Sequence, residues 1–278
     1  MEHQDGYFNG VRVAQIYHQA WLPEGDAKAA LVIVHGLGEH CGRYMNVVNH
    51  FVPQNYAVYG HDLYGHGKSD GPREFVESFD DYIGTLKLFI DKVAGWQPGK
   101  PLFMIGHSMG GLVGTIYLLD HSKDLAGAVI SAPLVKAPDN ISPITIKMSK
   151  LLSKVAPKFG VEALDPSLVS RDPQVVEDYI NDPLVHHGKV TARLGSELLK
   201  SMQRVEAEAN TIQTPLLIVQ GGADSMVDPD GARTLFDTVS SPDKALKIFK
   251  GLHHEIFNEP EHPTVLAFVE GWLAAHII

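Results

Sequence analysis

The sequence has one cysteine, a deficit of positive charge and no long apolar run. A lone Cys41 excludes an intrachain disulfide and is typical of a reducing compartment. Lysine and arginine total 23 against 33 aspartate and glutamate residues, a net charge of −10, so nucleic acid is not an expected partner. No stretch reaches the ~18 apolar residues of a membrane-spanning helix. Because the first ten residues are polar and unlike a signal peptide, the expected location is cytoplasmic.

Apolar runs alternate with helical patterns along most of the 278 residues. A hydrophobic fraction of 44% is ordinary for a globular chain of this length, which can bury a sizeable core. Strands are predicted at residues 11–21, 29–34, 56–59, 102–105, 125–131, 216–219 and 246–249, the first of them antiparallel. Helices are predicted at residues 43–51, 80–93, 111–119 and 263–278. This alternation indicates an α/β fold with a mostly parallel central sheet flanked by helices.

Residues 135–205 interrupt the alternation. They are rich in proline, and no strand is predicted among them. We therefore expect a helical cap or lid, inserted between two strands of a core domain that comprises residues 1–134 and 206–278.

One predicted helix of this cap has an apolar stripe with lysines on its flank. The stripe consists of Ile144, Met148, Leu151 and Val155, and the flank of Lys147, Lys150, Lys154 and Lys158. The stripe could pack on the domain below, as core-facing helices do. It could equally make transient contact with a membrane or micelle, since basic amphipathic helices bind lipid surfaces.

A serine flanked by glycines follows the buried strand at residues 102–105. Gly106-His107-Ser108-Met109-Gly110 has the pattern G-x-S-x-G and comes between this strand and a helix. That setting is typical of the nucleophile elbow, a turn so tight that its flanking positions must be nearly free of side chains. Ser108 is the candidate nucleophile, and the alternative is a serine that merely caps the helix.

A serine nucleophile needs a base to take its proton and an acid to orient that base. In elbow folds the acid and then the histidine follow the serine along the chain, each after a strand. Asp224 follows the strand at 216–219, and His254 follows the strand at 246–249. Asp228 and His253 are the respective alternatives, since geometry defines such a triad.

Backbone N–H groups of Leu37 and Met109 are the expected donors to the oxyanion that forms during acyl transfer. Met109 follows the nucleophile, and Leu37 lies in the loop after the strand at 29–34. No metal is expected, because the paired histidines at 186–187 and 253–254 lack the spacing of a zinc site. No cofactor is expected, and the sequence leaves the oligomeric state open.

Several blocks resemble monoacylglycerol lipases and the related lysophospholipases of the serine α/β-hydrolase superfamily. These blocks are residues 35–44 (HGLGEHCGRY), 62–71, 106–111, 181–184 and His254-Glu255. The resemblance covers nearly the whole chain and implies the α/β-hydrolase fold, in which Ser108, Asp224 and His254 match the family's triad. It implies a lipid ester substrate and hydrolysis of a monoacylglycerol through an acyl-enzyme.

The resemblance also suggests that Glu39 and Arg43, with His107 beside the nucleophile, border the polar end of the pocket. A salt bridge that only fixes the oxyanion loop is the alternative role for Glu39 and Arg43. Lysophospholipase or short-chain carboxylesterase activity is an alternative function of the same triad. A ligand receptor with a residual hydrolase site is the non-enzymatic alternative, because a fold alone does not define function.

Overall fold

A computed structural model of the protein describes residues 1–136 and 151–277. Eight strands form one sheet, and two short strands, β7 and β8, pair separately. The strands are β1 (Glu2–Asn9), β2 (Gln15–Leu22), β3 (Ala29–Val34), β4 (Tyr56–His61), β5 (Leu102–His107), β6 (Gly127–Ser131), β7 (Gly160–Glu162), β8 (Val190–Thr191), β9 (Leu216–Gly221) and β10 (Lys244–Phe249).

The large sheet has the order β1-β2-β4-β3-β5-β6-β9-β10. β2 runs antiparallel to both β1 and β4, and the remaining pairs are parallel. Every residue of β3, β4, β5, β6 and β9 is buried, as expected for parallel strands covered on both faces. The α/β-hydrolase fold predicted from the sequence is thereby confirmed.

Helices cover both faces of the sheet. They are α1 (Met45–Phe51), α2 (Asp80–Trp96), α3 (Met109–His121), α4 (Pro173–Asn181), α5 (Ala192–Glu208), α6 (Pro229–Thr238) and α7 (His262–Ala275). α1 and α7 bury one apolar face against the sheet, while α2, α3, α5 and α6 contribute to the core on the other face. In the described part of the chain, no helix is long and apolar enough to cross a membrane.

The N-terminal segment differs from the prediction of one strand at residues 11–21. β1 and β2 pair over their full length, and a 3₁₀ turn at Val11–Val13 joins them. Arg12 and Val13 have φ values of 57° and 61°, so the chain reverses there instead of extending. The sequence does not predict β1, because most of its residues are exposed and polar and show no alternation of apolar and polar side chains.

The segment between β6 and β9 contains strands as well as helices, so the prediction that residues 135–205 lack strands is wrong. β7 and β8 are too short to carry a period-two pattern. Residues 151–155 are helical, and α5 packs against α3. Ile144, Lys147, Met148 and Lys150 lie outside the described residues. The division into core and cap at residues 135 and 205 stays a prediction.

Candidate active site

Ser108 lies at the sharp turn between β5 and α3. Its φ of 54° and ψ of −117° place a non-glycine residue in a strained region of backbone space. A Cβ atom on Gly106 would lie 2.5 Å from the carbonyl oxygen of Gly110, and one on Gly110 would lie 2.1 Å from that of Val34. The two glycines are therefore required sterically, as the elbow interpretation predicts.

Ser108 occupies the N-cap position of α3, but its side chain forms no capping hydrogen bond. Instead its backbone N–H donates to the carbonyl of Ser131 (2.9 Å), and its carbonyl accepts from the N–H groups of Leu112 and Leu134. Ser108 lines a cavity together with His254. The main chain is thus fixed on both sides, and Ser108 borders the cavity without capping the helix through its hydroxyl.

The structure brings Asp224 and His254 together from separate loops at the carboxyl ends of β9 and β10. His254 Nδ1 lies 2.7 Å from Asp224 Oδ2. The other carboxylate oxygen of Asp224 accepts from the N–H groups of Met226 (2.9 Å) and Val227 (3.0 Å). These bonds fix the carboxylate, which in turn orients the imidazole ring.

Asp228 and His253, the alternative candidates for the acid and the base, lie in different surroundings. Asp228 caps α6 by accepting from the N–H of Asp230 (2.9 Å), and it forms an ion pair with Lys136 (3.0 Å). His253 does not line the cavity that Ser108 and His254 share. His254 is the histidine of the pair that bonds to Asp224.

The pKa values of both Asp224 and His254 are shifted from their ordinary values. Burial raises the pKa of Asp224, but the hydrogen bond and charge of His254, with the two backbone donors, outweigh burial and lower it. Burial acts in the opposite direction on His254, where the hydrogen bond and charge of Asp224 outweigh it and raise the pKa above 6.5. An ionised carboxylate beside a basic imidazole is the arrangement that serves a general base.

Leu37 and Met109 carry the two backbone N–H groups that the sequence predicts as oxyanion donors. Among the described residues, the N–H of Leu37 donates to no other group, although the neighbouring Gly36 N–H donates to Glu39 Oε1 (2.7 Å). Met109 opens α3, where a first-turn N–H has no intrahelical acceptor. Leu37 lines the cavity. The loop with Leu37 follows β3, and Met109 opens the helix that follows the adjacent strand β5.

Glu39 and His107 line the cavity, and Arg43 lies behind it. The guanidinium of Arg43 contacts Glu39 Oε2 (2.8 Å) and is covered by the ring of Tyr179, 4.6 Å away. His107 Nδ1 lies 3.1 Å from Ser131 Oγ, and its ring centroid is 4.7 Å from that of His254. Burial lowers the pKa of His107 to about 3, so its imidazole ring is neutral near pH 7.

Three residues of the site have no role in the sequence-based prediction. Gln220 donates its amide N–H to Asp224 Oδ2 (2.9 Å), Tyr179 brings α4 to the cavity, and Glu255 binds Arg43. Gln220 lies at the buried end of β9. A polar residue in such an apolar strand is expected to form a hydrogen bond, and this signal could have identified it. The position of Tyr179 follows from the packing of the inserted segment and has no local sequence signal.

Comparison with known proteins places this site in a family. The family model described as serine aminopeptidase S33 matches residues 25–261. A monoacylglycerol lipase from Mycolicibacterium smegmatis is 37% identical over 97% of this chain and 96% of its own. A monoglyceride lipase from Rattus norvegicus is 33% identical over 94% of this chain and 88% of its own.

A solved structure agrees with these sequence matches. The monoacylglycerol lipase of Paleococcus ferrophilus superposes with a TM-score of 0.82 at 32% identity, covering 99% of this chain and 100% of that one. Because the family model and the relatives span nearly the whole chain, the match includes the elbow, both triad loops and the inserted segment. The chain belongs to the monoacylglycerol lipase-like family of serine α/β-hydrolases, which are carboxylic ester hydrolases.

Proposed function

We propose that the protein hydrolyses monoacylglycerols to a fatty acid and glycerol through an acyl-enzyme on Ser108. The observation that carries the proposal is the 2.7 Å bond from Asp224 to His254, because His254 lines the same cavity as Ser108. The names of the relatives, which are monoacylglycerol and monoglyceride lipases, support the choice of substrate.

In this mechanism His254 accepts the proton of the Ser108 hydroxyl as its oxygen attacks the ester carbonyl carbon. The N–H groups of Leu37 and Met109 hold the oxyanion of the tetrahedral intermediate. Asp224 stays ionised and stabilises the imidazolium. When the intermediate collapses, the carbon–oxygen bond to glycerol breaks, and the glycerol oxygen takes the proton from His254.

Water completes the cycle. It attacks the acyl-enzyme while His254 accepts one of its protons, the bond to Ser108 breaks, and the proton returns to the serine oxygen as the fatty acid leaves. We place the glycerol part of the substrate against Glu39 and His107, which border the cavity. Arg43 acts from behind this wall, through its bond to Glu39.

The proposal also includes lipid contact through the inserted segment. Leu151, Val155 and Phe159 are 60%, 71% and 59% exposed, and Lys154 and Lys158 are exposed beside them. Exposed apolar side chains with neighbouring lysines suit the surface of a membrane or micelle. Leu164, which follows them along the chain, lines the cavity, so substrate would leave the lipid close to Ser108. With its single buried thiol, the chain suits a cytoplasmic location from which it makes such peripheral contact.

The experiment compares the purified protein with its Ser108→Ala variant. The substrates are monoacyl-, diacyl- and triacylglycerols, lysophosphatidylcholine and a short-chain nitrophenyl ester. We expect fastest turnover of monoacylglycerol and loss of all turnover in the variant. Ser122→Ala, at the far end of α3, is the matched control and should retain full activity.

Each other outcome changes the proposal in a defined way. Faster hydrolysis of lysophosphatidylcholine would replace the substrate but keep the triad, and activity confined to the nitrophenyl ester would indicate a general carboxylesterase. One turnover per molecule without recycling would indicate a receptor. Turnover that persists in Ser108→Ala would overturn the assignment of the nucleophile.

A further inference from the structure

Glu255 directly follows His254, but its carboxylate points into a buried ion-pair network. Oε1 lies 2.6 Å from Arg43 Nη1, and Oε2 lies 2.8 Å from Arg43 Nη2, so the two planar groups meet in a two-pronged contact. Asn258 Nδ2 donates to Oε2 as well (2.9 Å). The side chains of Arg43 and Glu255 are 9% and 7% exposed, so water screens their attraction very little.

The same guanidinium continues the network to the loop after β3. Arg43 Nη1 also contacts Glu39 Oε2 (2.8 Å). Glu39 Oε1 accepts from the N–H of Gly36 (2.7 Å) and from the hydroxyl of Tyr44 (2.7 Å). A continuous chain of hydrogen bonds to charged groups therefore runs from Glu255, the residue after His254, to the backbone N–H of Gly36, the residue before Leu37.

No strand pairing supplies this connection. β3 carries the loop with Leu37 and β10 carries the loop with His254, and β5, β6 and β9 lie between them in the sheet. A loop at the end of one strand has its own freedom of motion relative to a loop four strands away. The backbone N–H of Glu255 also donates to the carbonyl of Val169 (2.8 Å). This bond attaches the loop that contains His254 to the inserted segment.

We propose that Glu255 is a positioning residue. Through Arg43 and Glu39 it holds the loop that contains His254 in a fixed position relative to the loop that contains Leu37. The inference rests on the proposed acyl-transfer function. Reacting groups must be placed within a fraction of an ångström, and a misplacement of 1 Å can lower a rate by roughly 100-fold. The charge and hydrogen bonds of Arg43 overcome the effect of burial and lower the pKa of Glu255, which favours the ionised carboxylate that this contact requires.

The test compares Glu255→Gln with Glu259→Gln, a matched control four residues along the chain. Glu259 is equally buried and also binds an arginine, Arg171, through a side-chain ion pair (2.5 Å) and a backbone N–H (2.7 Å). It has no bond to the network of Glu255. Both substitutions remove the charge of a buried carboxylate that binds an arginine, so both should lower the thermal midpoint.

With a soluble nitrophenyl ester, Glu255→Gln should lower kcat by roughly 10- to 100-fold and leave KM nearly unchanged. The rate of labelling of Ser108 by a fluorophosphonate should fall in parallel. Glu259→Gln should keep the kcat of the parent. Arg43→Lys, which keeps the charge but loses the two-pronged contact, should resemble Glu255→Gln and serves as the second variant if that protein does not fold.

Three results would overturn the proposal. A higher KM with unchanged kcat would make Glu255 a substrate-binding residue. Equal losses of kcat in Glu255→Gln and Glu259→Gln would make its role purely structural, and an unchanged kcat in both Glu255→Gln and Arg43→Lys would exclude a positioning role. Failure of the underlying function is recognised separately, because the unsubstituted protein would then neither hydrolyse esters nor react with the fluorophosphonate.

Discussion

Glu74 Oε1 lies 3.7 Å from His66 Nε2 in the interior of the protein, and within the described residues neither atom has a hydrogen-bond partner. Burial raises the pKa of Glu74 to about 8 and lowers that of His66 to about 4. Both groups are therefore neutral near pH 7, although an isolated carboxyl group would be ionised. This pair makes the stability of the fold depend on pH in both directions.

Glu74→Gln should flatten the alkaline side of the stability profile. The folded carboxyl group holds its proton up to about pH 8 and the unfolded one only to about 4.5, so stability falls as pH rises between these values. The full difference corresponds to roughly 5 kcal/mol. Urea unfolding at pH 6 and pH 9 should show a larger loss in the parent than in Glu74→Gln. The exposed neighbour Glu77, changed to Gln, is the control and should behave like the parent.

His66 should make the protein less stable on the acid side of the same stability profile. Its folded pKa of about 4 lies below the ordinary 6.5, so the free energy of unfolding should decrease as pH falls from 6.5 to 4. Replacing His66 with Gln should remove part of this acid sensitivity in urea titrations at pH 6.5 and pH 4.5. An equal acid sensitivity in the variant would contradict a neutral, buried His66.

Asp224→Asn should lower kcat by roughly 10³- to 10⁴-fold. The neutral amide can no longer accept from His254 Nδ1 and stabilise the imidazolium, while the backbone donors to Oδ1 still find an oxygen. Steady-state kinetics on a soluble ester measure the effect. Asp228→Asn, which leaves a good helix cap at the start of α6, should retain kcat. The reverse pattern would make Asp228 the acid.

The acid limb of the activity profile should have its midpoint above pH 6.5. Asp224 raises the pKa of His254, and the protonated imidazole cannot accept the proton of Ser108. The measurement is kcat/KM for a soluble ester between pH 5 and pH 9, since this ratio reports groups of the free enzyme. A midpoint below 6.5 would mean that burial dominates over the charge of Asp224.

Gly110→Ala should destabilise the protein by about 3 kcal/mol or more, because the new Cβ would overlap the carbonyl oxygen of Val34. Gly271→Ala is the matched control within α7. No atom lies within 4 Å of a Cβ at that position, so this change should stabilise the helix by about 0.5–1 kcal/mol. Denaturant unfolding of both variants checks the pair. Similar effects at the two positions would argue against a steric requirement at the elbow.

The sequence alone determined those features that depend on short stretches of chain. The buried strands β3, β5 and β9 are continuous apolar runs, and the glycines around Ser108 report the steric limit of a single turn. Asp224 and His254 could be predicted because each follows its own strand, and parallel strands bring their carboxyl ends to one edge of the sheet. The polar edge strand β1 lacks such a pattern and went undetected.

Only the tertiary structure decided which charges meet. Arg43 lies four residues from Glu39 but 212 from Glu255, so the local sequence around Glu255 does not predict their ion pair. The same holds for Glu74, whose burial depends on how the loop after β4 packs beneath the inserted segment, where Thr191 donates to its carbonyl. Local sequence sets the conformation of a turn, whereas burial and ion pairing depend on chain segments that meet only when the whole domain has folded.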